Sequence, residues 1–401
     1  MPAHDETVTT LLRAAHAVDA RGTTDDVWVL LDGDAIAAVG AGRDAPPADR
    51  AVDLGDATLV PGFVDLHVHG GAGGSHDDGA EGIRAAVALH RRHGTTRSVL
   101  SLVADPVPHL ARSLDAIRRA MATDATIVGA HLEGPFLSPH AAGAHAREHL
   151  VDPTPARIEA LLEAGEGVLR QVTIAPELDG ALDAIRRLVG AGAGVVAAVG
   201  HTTCSGDVAR AAFDAGATVL THAFDAMPGI HHREPGPIMA AVADERVTLE
   251  LILDGVHVDP AVAGLLLRLA PGRVALVTDA MAAAGSADGR YRLGSRDVDV
   301  RDGIARLAGT ETIAGSTLTQ DRALRIAVRD VGLALPDAVA ALTVVPARAL
   351  GLDAHLGLLR AGSAADVVAL TPDLRVSRVW AAGVEVPGAA AATPAPQASS
   401  R

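Results

Sequence analysis

The pattern of apolar and polar positions changes character twice along this chain. Over residues 27–60 the two alternate between turn signals such as Asp32-Gly33-Asp34. Alternation with a period of two places one face in a core and the other in water, so this stretch reads as short antiparallel strands. Residues 367–386 read the same way, with a Thr371-Pro372-Asp373 turn between two apolar runs. The long middle differs. Short apolar runs recur at 63–68, 96–100, 127–132, 171–175, 194–200, 218–222, 248–253 and 274–278. Ala-rich amphipathic segments separate most of them, for example 83–93, 108–121 and 155–164. Strands alternating with helices imply a parallel sheet, and eight such units imply an α/β fold of the (β/α)8 TIM-type barrel. The strand-rich ends suggest a small β-sandwich built from both chain termini. The expected division is 1–60 with 352–388 for the sandwich, 61–351 for the barrel, and 389–401 for an Ala/Pro/Ser-rich disordered tail.

Composition narrows the function classes. No run among the 401 residues is long and apolar enough to span a membrane. The start, Met1-Pro2-Ala3-His4-Asp5-Glu6, has no basic segment followed by an apolar one, so no secretory signal is expected. A single cysteine, Cys204, rules out an intrachain disulfide and suits the cytoplasm. The net charge of −15 argues against nucleic acid, whose phosphates need a basic stripe. It leaves room for a small phosphorylated substrate, because a few arginines can dominate one cleft. All 34 basic residues are arginine; the chain has no lysine. Aromatics are only 2%, and Trp28 and Trp380 lie near the two ends, so a sugar site in the middle must work by hydrogen bonds.

Five motifs fall at the ends of apolar runs: PGFVDLHVHG at 61–70, HLEGPF at 131–136, GHT at 200–202, Thr221-His222, and VTDA at 277–280. In a parallel barrel these ends share one rim, where the chemistry sits. His67 and His69 are two apart on a strand and share a face, so both can reach one ion. With His201, His222 and Glu133 at equivalent strand ends, the set is that of a divalent metal site with an open position. Zinc is the first expectation, iron or manganese the alternatives, with one or two ions per subunit. Many barrel metallohydrolases bridge two ions through a carbamylated lysine. Without lysine that bridge is excluded, and Glu133 is the carboxylate placed to substitute. Gly134-Pro135 follows it directly and fixes a sharp turn. Asp279 ends the last strand, where a carboxylate could take a proton from water and hand one to a leaving nitrogen. His231 and His232 read as a solvated loop, Cys204 as a small buried apolar residue, and Phe136 as pocket lining or core.

With these residues in view, the chain resembles the N-acetylglucosamine-6-phosphate deacetylases of the amidohydrolase superfamily. The resemblance runs from about Val60 to Asp366. Beyond the motifs above it rests on AGAH at 142–145, VTIAPE at 172–177, THAFDAM at 221–227, HREPG at 232–236, DGVHVD at 254–259 and AGSTLTQD at 314–321. It implies Glu133, His201 and His222 as main metal ligands, and His67 and His69 as holders of a second ion. It implies Asp279 as general base and acid, and His145 as hydrogen-bond donor to the acetyl carbonyl. It places Arg233 and His257 on the sugar 6-phosphate, Asp225 and Ala226 against the substrate, and the protein in a homodimer. One departure stands out. The family motif reads Asn-Ala-Met where this chain has Asp225-Ala226-Met227. A carboxylate there would repel phosphate unless paired, with Arg233 or with backbone donors, or protonated. It could also mark another N-acetylated sugar, such as N-acetylgalactosamine 6-phosphate. A cyclic amidase or aminopurine deaminase, and a non-catalytic barrel serving as a binding subunit, are the competing readings.

Overall fold

The computed structural model describes residues 8–192 and 194–389. Residues 1–6, on which the leader expectation falls, and 390–401 of the expected 389–401 tail lie outside them; Ala389 itself is buried against the main core. Eight strands form one sheet in sequence order: Phe63–Val68, Thr95–Leu102, Ile127–Glu133, Leu169–Ile174, Val196–Val199, Val219–Leu220, Thr248–Ile252 and Val274–Val277. Every pairing between neighbours is parallel. The two end strands meet at their C-terminal ends. There Asp279 N donates to His67 O at 2.8 Å, and His69 N donates to Ala280 O at 2.8 Å. Closure therefore falls on the rim that carries the motifs. Parallel strands with helices outside are buried on both faces, and Phe63–Val68 is buried at every position.

A helix follows each of the first seven strands, including Ala80–Arg92, Val107–Met121 and Pro155–Ala164. In Val107–Met121 the buried Leu110, Leu114 and Ile117 recur at helical spacing and face the sheet. After the eighth strand the pattern breaks. A three-stranded antiparallel insert, Gly289–Leu293, Arg296–Arg301 and Ile304–Leu307, precedes the helix Gln320–Arg329. Its Leu293, Val298, Val300 and Leu307 pack on Met281, Ala283 and Val103, so it roofs the rim beside Asp279.

The two chain ends build one further eight-stranded sheet. Most of its pairings are antiparallel, as the alternation suggests, but Thr9–Asp19 runs parallel to both Arg50–Asp53 and Thr58–Pro61. Leu12, Val29, Leu31, Ile36, Leu59, Val367 and Trp380 fill its core. Gly40 is required by close approach: a Cβ there would fall 2.3 Å from the Trp28 ring.

Arg97, on the second barrel strand, ties the barrel to this sheet. Its Nε donates to Asp366 Oδ2 at 2.6 Å, and Asp366 Oδ1 also accepts from Ala382 N at 2.8 Å. Asp366 is buried and Arg97 largely so, at 7% and 11% exposed. Asp366→Ala leaves the guanidinium uncompensated, so a loss of about 3–5 kcal/mol is expected in urea unfolding. A loss below about 1 kcal/mol, the range of exposed pairs, would show that this pair does not hold the two sheets together.

Candidate metal centre

Three candidate residues sit immediately beyond a strand in the left-handed region: His201 at φ +45°, His222 at φ +23° and Asp279 at φ +47°. Non-glycine residues hold such angles only where the surroundings impose them, and such positions cluster at functional sites. The turn swings each side chain in toward the barrel axis. His67 and His69 arrive from the first strand, with their Nε2 atoms 3.1 Å apart.

Glu133, ending the third strand, is the hub. Its Oε1 lies 2.9 Å from His222 Nε2, 3.1 Å from His201 Nε2 and 3.4 Å from His67 Nε2. Its Oε2 lies 3.1 Å from His69 Nε2 and 3.2 Å from His145 Nε2. Asp279 Oδ1 is 3.2 Å from His69 Nε2 and 3.5 Å from His67 Nε2. Two donor groups result, His67–His69–Glu133–Asp279 and Glu133–His145–His201, all buried and sharing Glu133.

The far ring nitrogens decide what the near ones can do. His201 Nδ1 donates to Ala141 O at 2.8 Å, which leaves a lone pair on Nε2. His67 Nδ1 faces Glu250 Oε2 at 3.2 Å, with the same consequence. His145 is the opposite case. Ala104 N–H donates to its Nδ1 at 3.1 Å, so its Nε2 carries the proton and presents it toward Glu133 Oε2 at 3.2 Å. Burial, helped by the charges of His201 and His69, pushes His145 down to about 4, so it is a neutral donor at pH 7.

Lone pairs aimed at one another need a cation between them. His201 Nε2 and His222 Nε2 are 3.1 Å apart, and the Nδ1 atoms of His69 and His222 have no partner among the described residues. Without a cation between them, the carboxylates would draw protons onto these rings. Burial opposes ionisation of His69, but hydrogen bonds to Asp279 and Glu133 outweigh it and lift the imidazole to about 9. Burial likewise opposes ionisation of Asp279, yet His67 and His69 hold its carboxyl down at about 2. The residues can therefore hold a divalent metal, whose charge would replace those protons.

The remaining candidates lie farther out. Ala226 adopts φ +49°, and its carbonyl accepts from Thr202 N at 3.1 Å. Gly143 of the AGAH segment sits against the His201 ring, where a Cβ would be 3.1 Å from Cε1. His257 Nδ1 donates to Asp254 Oδ2 at 2.8 Å; burial resists its charge, but Asp254 and Asp225 lift it to about 9. Asp225 is not paired with Arg233 or with backbone donors. Its side chain has no hydrogen-bond partner among the described residues, and burial pushes it up to about 6. Arg233 is exposed in the 231–235 stretch with its guanidinium unpaired among the described residues, beside exposed His231 and His232. Phe136 is wholly buried in the main core, and Cys204 is a buried thiol that burial pushes up to about 11.

Several residues that matter were given no role from the sequence, two of them inside its motifs. Glu250 backs His67 from the middle of the seventh strand. Asp65 receives Thr278 Oγ1 at 2.6 Å and fixes the chain before Asp279. His131, though inside the HLEGPF motif, faces away from the metal cluster's donors: Ser101 Oγ and Thr173 Oγ1 occupy its two nitrogens at 2.9 and 2.8 Å.

Comparison with known proteins agrees with this geometry. The profile of the Amidohydrolase family matches residues 58–386. The chain is 38% identical over 381 residues to N-acetylgalactosamine-6-phosphate deacetylase of Escherichia coli O157:H7, covering 94% of this chain and 99% of that one. It is 31% identical to N-acetylglucosamine-6-phosphate deacetylase of Vibrio furnissii, covering 92% and 93%. A solved mutant of N-acetyl-D-glucosamine-6-phosphate deacetylase from Mycobacterium smegmatis, in complex with N-acetyl-D-glucosamine 6-phosphate, superposes with a TM-score of 0.90 at 48% identity, covering 94% and 99%. On its profile match, its close relatives and its eight-stranded barrel, the chain belongs to the amidohydrolase family.

Proposed function

We propose that this protein hydrolyses the acetamide of N-acetylglucosamine 6-phosphate, yielding glucosamine 6-phosphate and acetate. The carrying observation is one buried cluster that joins a carboxylate hub, Glu133, to a hydrogen-bond donor, His145, and to a second carboxylate, Asp279, at the same barrel rim. Glu133, His201 and His222 would hold the main divalent ion, and His67 and His69 a second, with zinc the first choice and iron or manganese the alternatives. When bound, such an ion acidifies water and polarises a carbonyl. Asp279 takes a proton from the attacking water as its oxygen bonds to the carbonyl carbon. His145 Nε2–H donates to the carbonyl oxygen as charge gathers there. As the C–N bond breaks, Asp279 returns the proton to the leaving nitrogen. Acetate release, without ammonia release, from a panel of N-acetyl sugars, cyclic amides and aminopurines tests the reading. Ammonia or no turnover overturns it.

The second reading is N-acetylgalactosamine 6-phosphate, favoured by the 38%-identical relative. Both epimers belong in the panel. His257, cationic at neutral pH, and Arg233 would bind the phosphate. Arg233→Ala should cost roughly ten- to hundredfold in kcat/KM for the phosphorylated sugar and little for the free sugar, since a charge-assisted contact is worth about 1.5–3 kcal/mol. Asp225→Asn should leave phosphate binding equal or better, because it removes an unpaired anion beside His257. Equal kinetics on both sugars, unmoved by either change, would remove the phosphate site.

A homodimer is part of the same proposal. Val262, Leu265 and Leu269 lie on one face of the helix Pro260–Leu269 and are 38%, 45% and 39% exposed. That apolar stripe lies just after His257, and the unpaired Arg233 is likewise free to act across an interface. Light scattering on the purified protein decides it; a monomer at micromolar concentration would remove the dimer. No helix among the described residues is long and apolar enough to cross a membrane. A cytoplasmic location, and the division into 1–60 with 352–388 and 61–351, complete the reading.

A further inference from the structure

Glu250 stands in the middle of the seventh barrel strand and is wholly buried. A buried carboxylate is costly unless something compensates it. No arginine pairs with it among the described residues; its ion-pair partner is His67. Oε2 faces His67 Nδ1 at 3.2 Å and accepts from His222 N at 3.4 Å. Oε1 accepts from Gln171 Nε2 at 2.8 Å. A carboxylate ringed by donors leaves His67 Nδ1 one role, that of donor, and the lone pair then falls on Nε2. The ring is also fixed in tilt. It stacks on His222 at 5.4 Å between centroids and meets His131 edge-on at 4.6 Å.

The two ends of the cluster are held differently. His201 Nδ1 is held by a neutral carbonyl, that of Ala141. His69 Nδ1 has no partner among the described residues. Among the described residues, Glu250 is thus the one carboxylate hydrogen-bonded to an Nδ1 of the histidine pair. We propose that Glu250 is a positioning residue that holds His67 with its Nε2 lone pair toward His69, Glu133 and Asp279, and so makes that end of the cluster a second divalent-cation position. A carboxylate behind a ligating histidine fixes its ring and raises its basicity. The inference rests on the metal-binding reading of the cluster and is independent of the sugar.

The test compares wild type with Glu250→Gln, which keeps an acceptor but no charge, and Glu250→Leu, which removes both. Each protein is stripped, then equilibrated against buffered Zn²⁺, and bound ions are counted across the series. Melting of the stripped proteins is followed in parallel. Wild type should bind two ions. Loss of such a carboxylate typically weakens binding about 10- to 100-fold. Gln should lie near the lower bound and Leu near the upper, for the weaker ion alone, with the first ion retained in both and the stripped-protein melting of the Gln variant close to wild type; the Leu variant should melt lower, because it leaves Gln171 Nε2 and His222 N without their acceptor. Wild type binding no ion would overturn the metal reading itself. One ion in wild type, or two in every variant at the wild-type midpoint, would overturn only the role of Glu250. So would equal weakening of both ions with a lowered stripped-protein melt, which marks a residue of general structural use. Glu250→Gln carries the test if the leucine variant does not fold.

Discussion

Asp279→Asn should keep an ion on Glu133, His201 and His222, and should turn substrate over about 10²–10⁴-fold more slowly, the usual cost of losing a positioned acid–base group. The variant is nearly isosteric. Asparagine tolerates the left-handed backbone that Asp279 adopts at φ +47°. The residues that fix the chain there remain: Asp65 still receives the Thr278 hydroxyl, and Ser316 N still donates to the residue 279 carbonyl at 2.7 Å. What disappears is an oxygen that can take a proton. Its Oδ1 lies 3.2 Å from His69 Nε2 and 3.5 Å from His67 Nε2, at the histidine-pair end of the cluster. The expected signature is a fall in kcat with KM little changed and metal content retained, read by acetate release and elemental analysis. Turnover near the wild-type rate in a folded, metal-loaded protein would take the proton-transfer role away from Asp279.

The barrel was legible in the sequence because parallel strands are apolar on both faces. Runs such as 248–253 and 274–278 therefore announce themselves without alternation, within a residue or two of Thr248–Ile252 and Val274–Val277. The insert at 289–307 was not. Its strands are exposed on one side, Arg- and Asp-rich, and as short as four residues, so no apolar run marks them. The rim residues were legible because each closes a run beside a Gly, Thr or Pro turn. Glu250 was invisible for the converse reason. One carboxylate in an apolar strand has no local pattern, and its meaning comes from His67, 183 positions away. The same holds for the proton on His145. His145 stands in a recognisable motif, but Ala104, on another loop, decides which nitrogen donates. Asp225 shows the limit from the other side: the sequence flagged the charge, and only the structure shows that Arg233 does not neutralise it.

Glu133→Gln should have the larger effect on the site as a whole. Glu133 is the carboxylate shared by His67, His69, His145, His201 and His222, at 2.9–3.4 Å from each. An amide supplies one weak acceptor oxygen and turns its NH₂ toward rings that present lone pairs. The chain has no lysine to supply a carbamate bridge, and Asp279 reaches only the His67–His69 end of the cluster. Loss of an indirect partner already costs about 10–100-fold in metal affinity. Loss of this direct ligand should exceed that, and a 100-fold weaker ion removes about 2.7 kcal/mol of metal-dependent stabilisation. The metal-free protein gives an independent check with a defined sign. His69 is lifted to about 9 by Asp279 and Glu133 against its burial. A raised imidazole contributes stability that is complete below its unfolded value of about 6.5 and fades as pH rises through the folded value. Removing one of its two anions should therefore destabilise the stripped variant most near pH 6 and progressively less toward pH 9–10. Wild-type metal content, together with a stability difference that is flat across that range, would mean that Glu133 is neither the hub of the charge cluster nor a ligand.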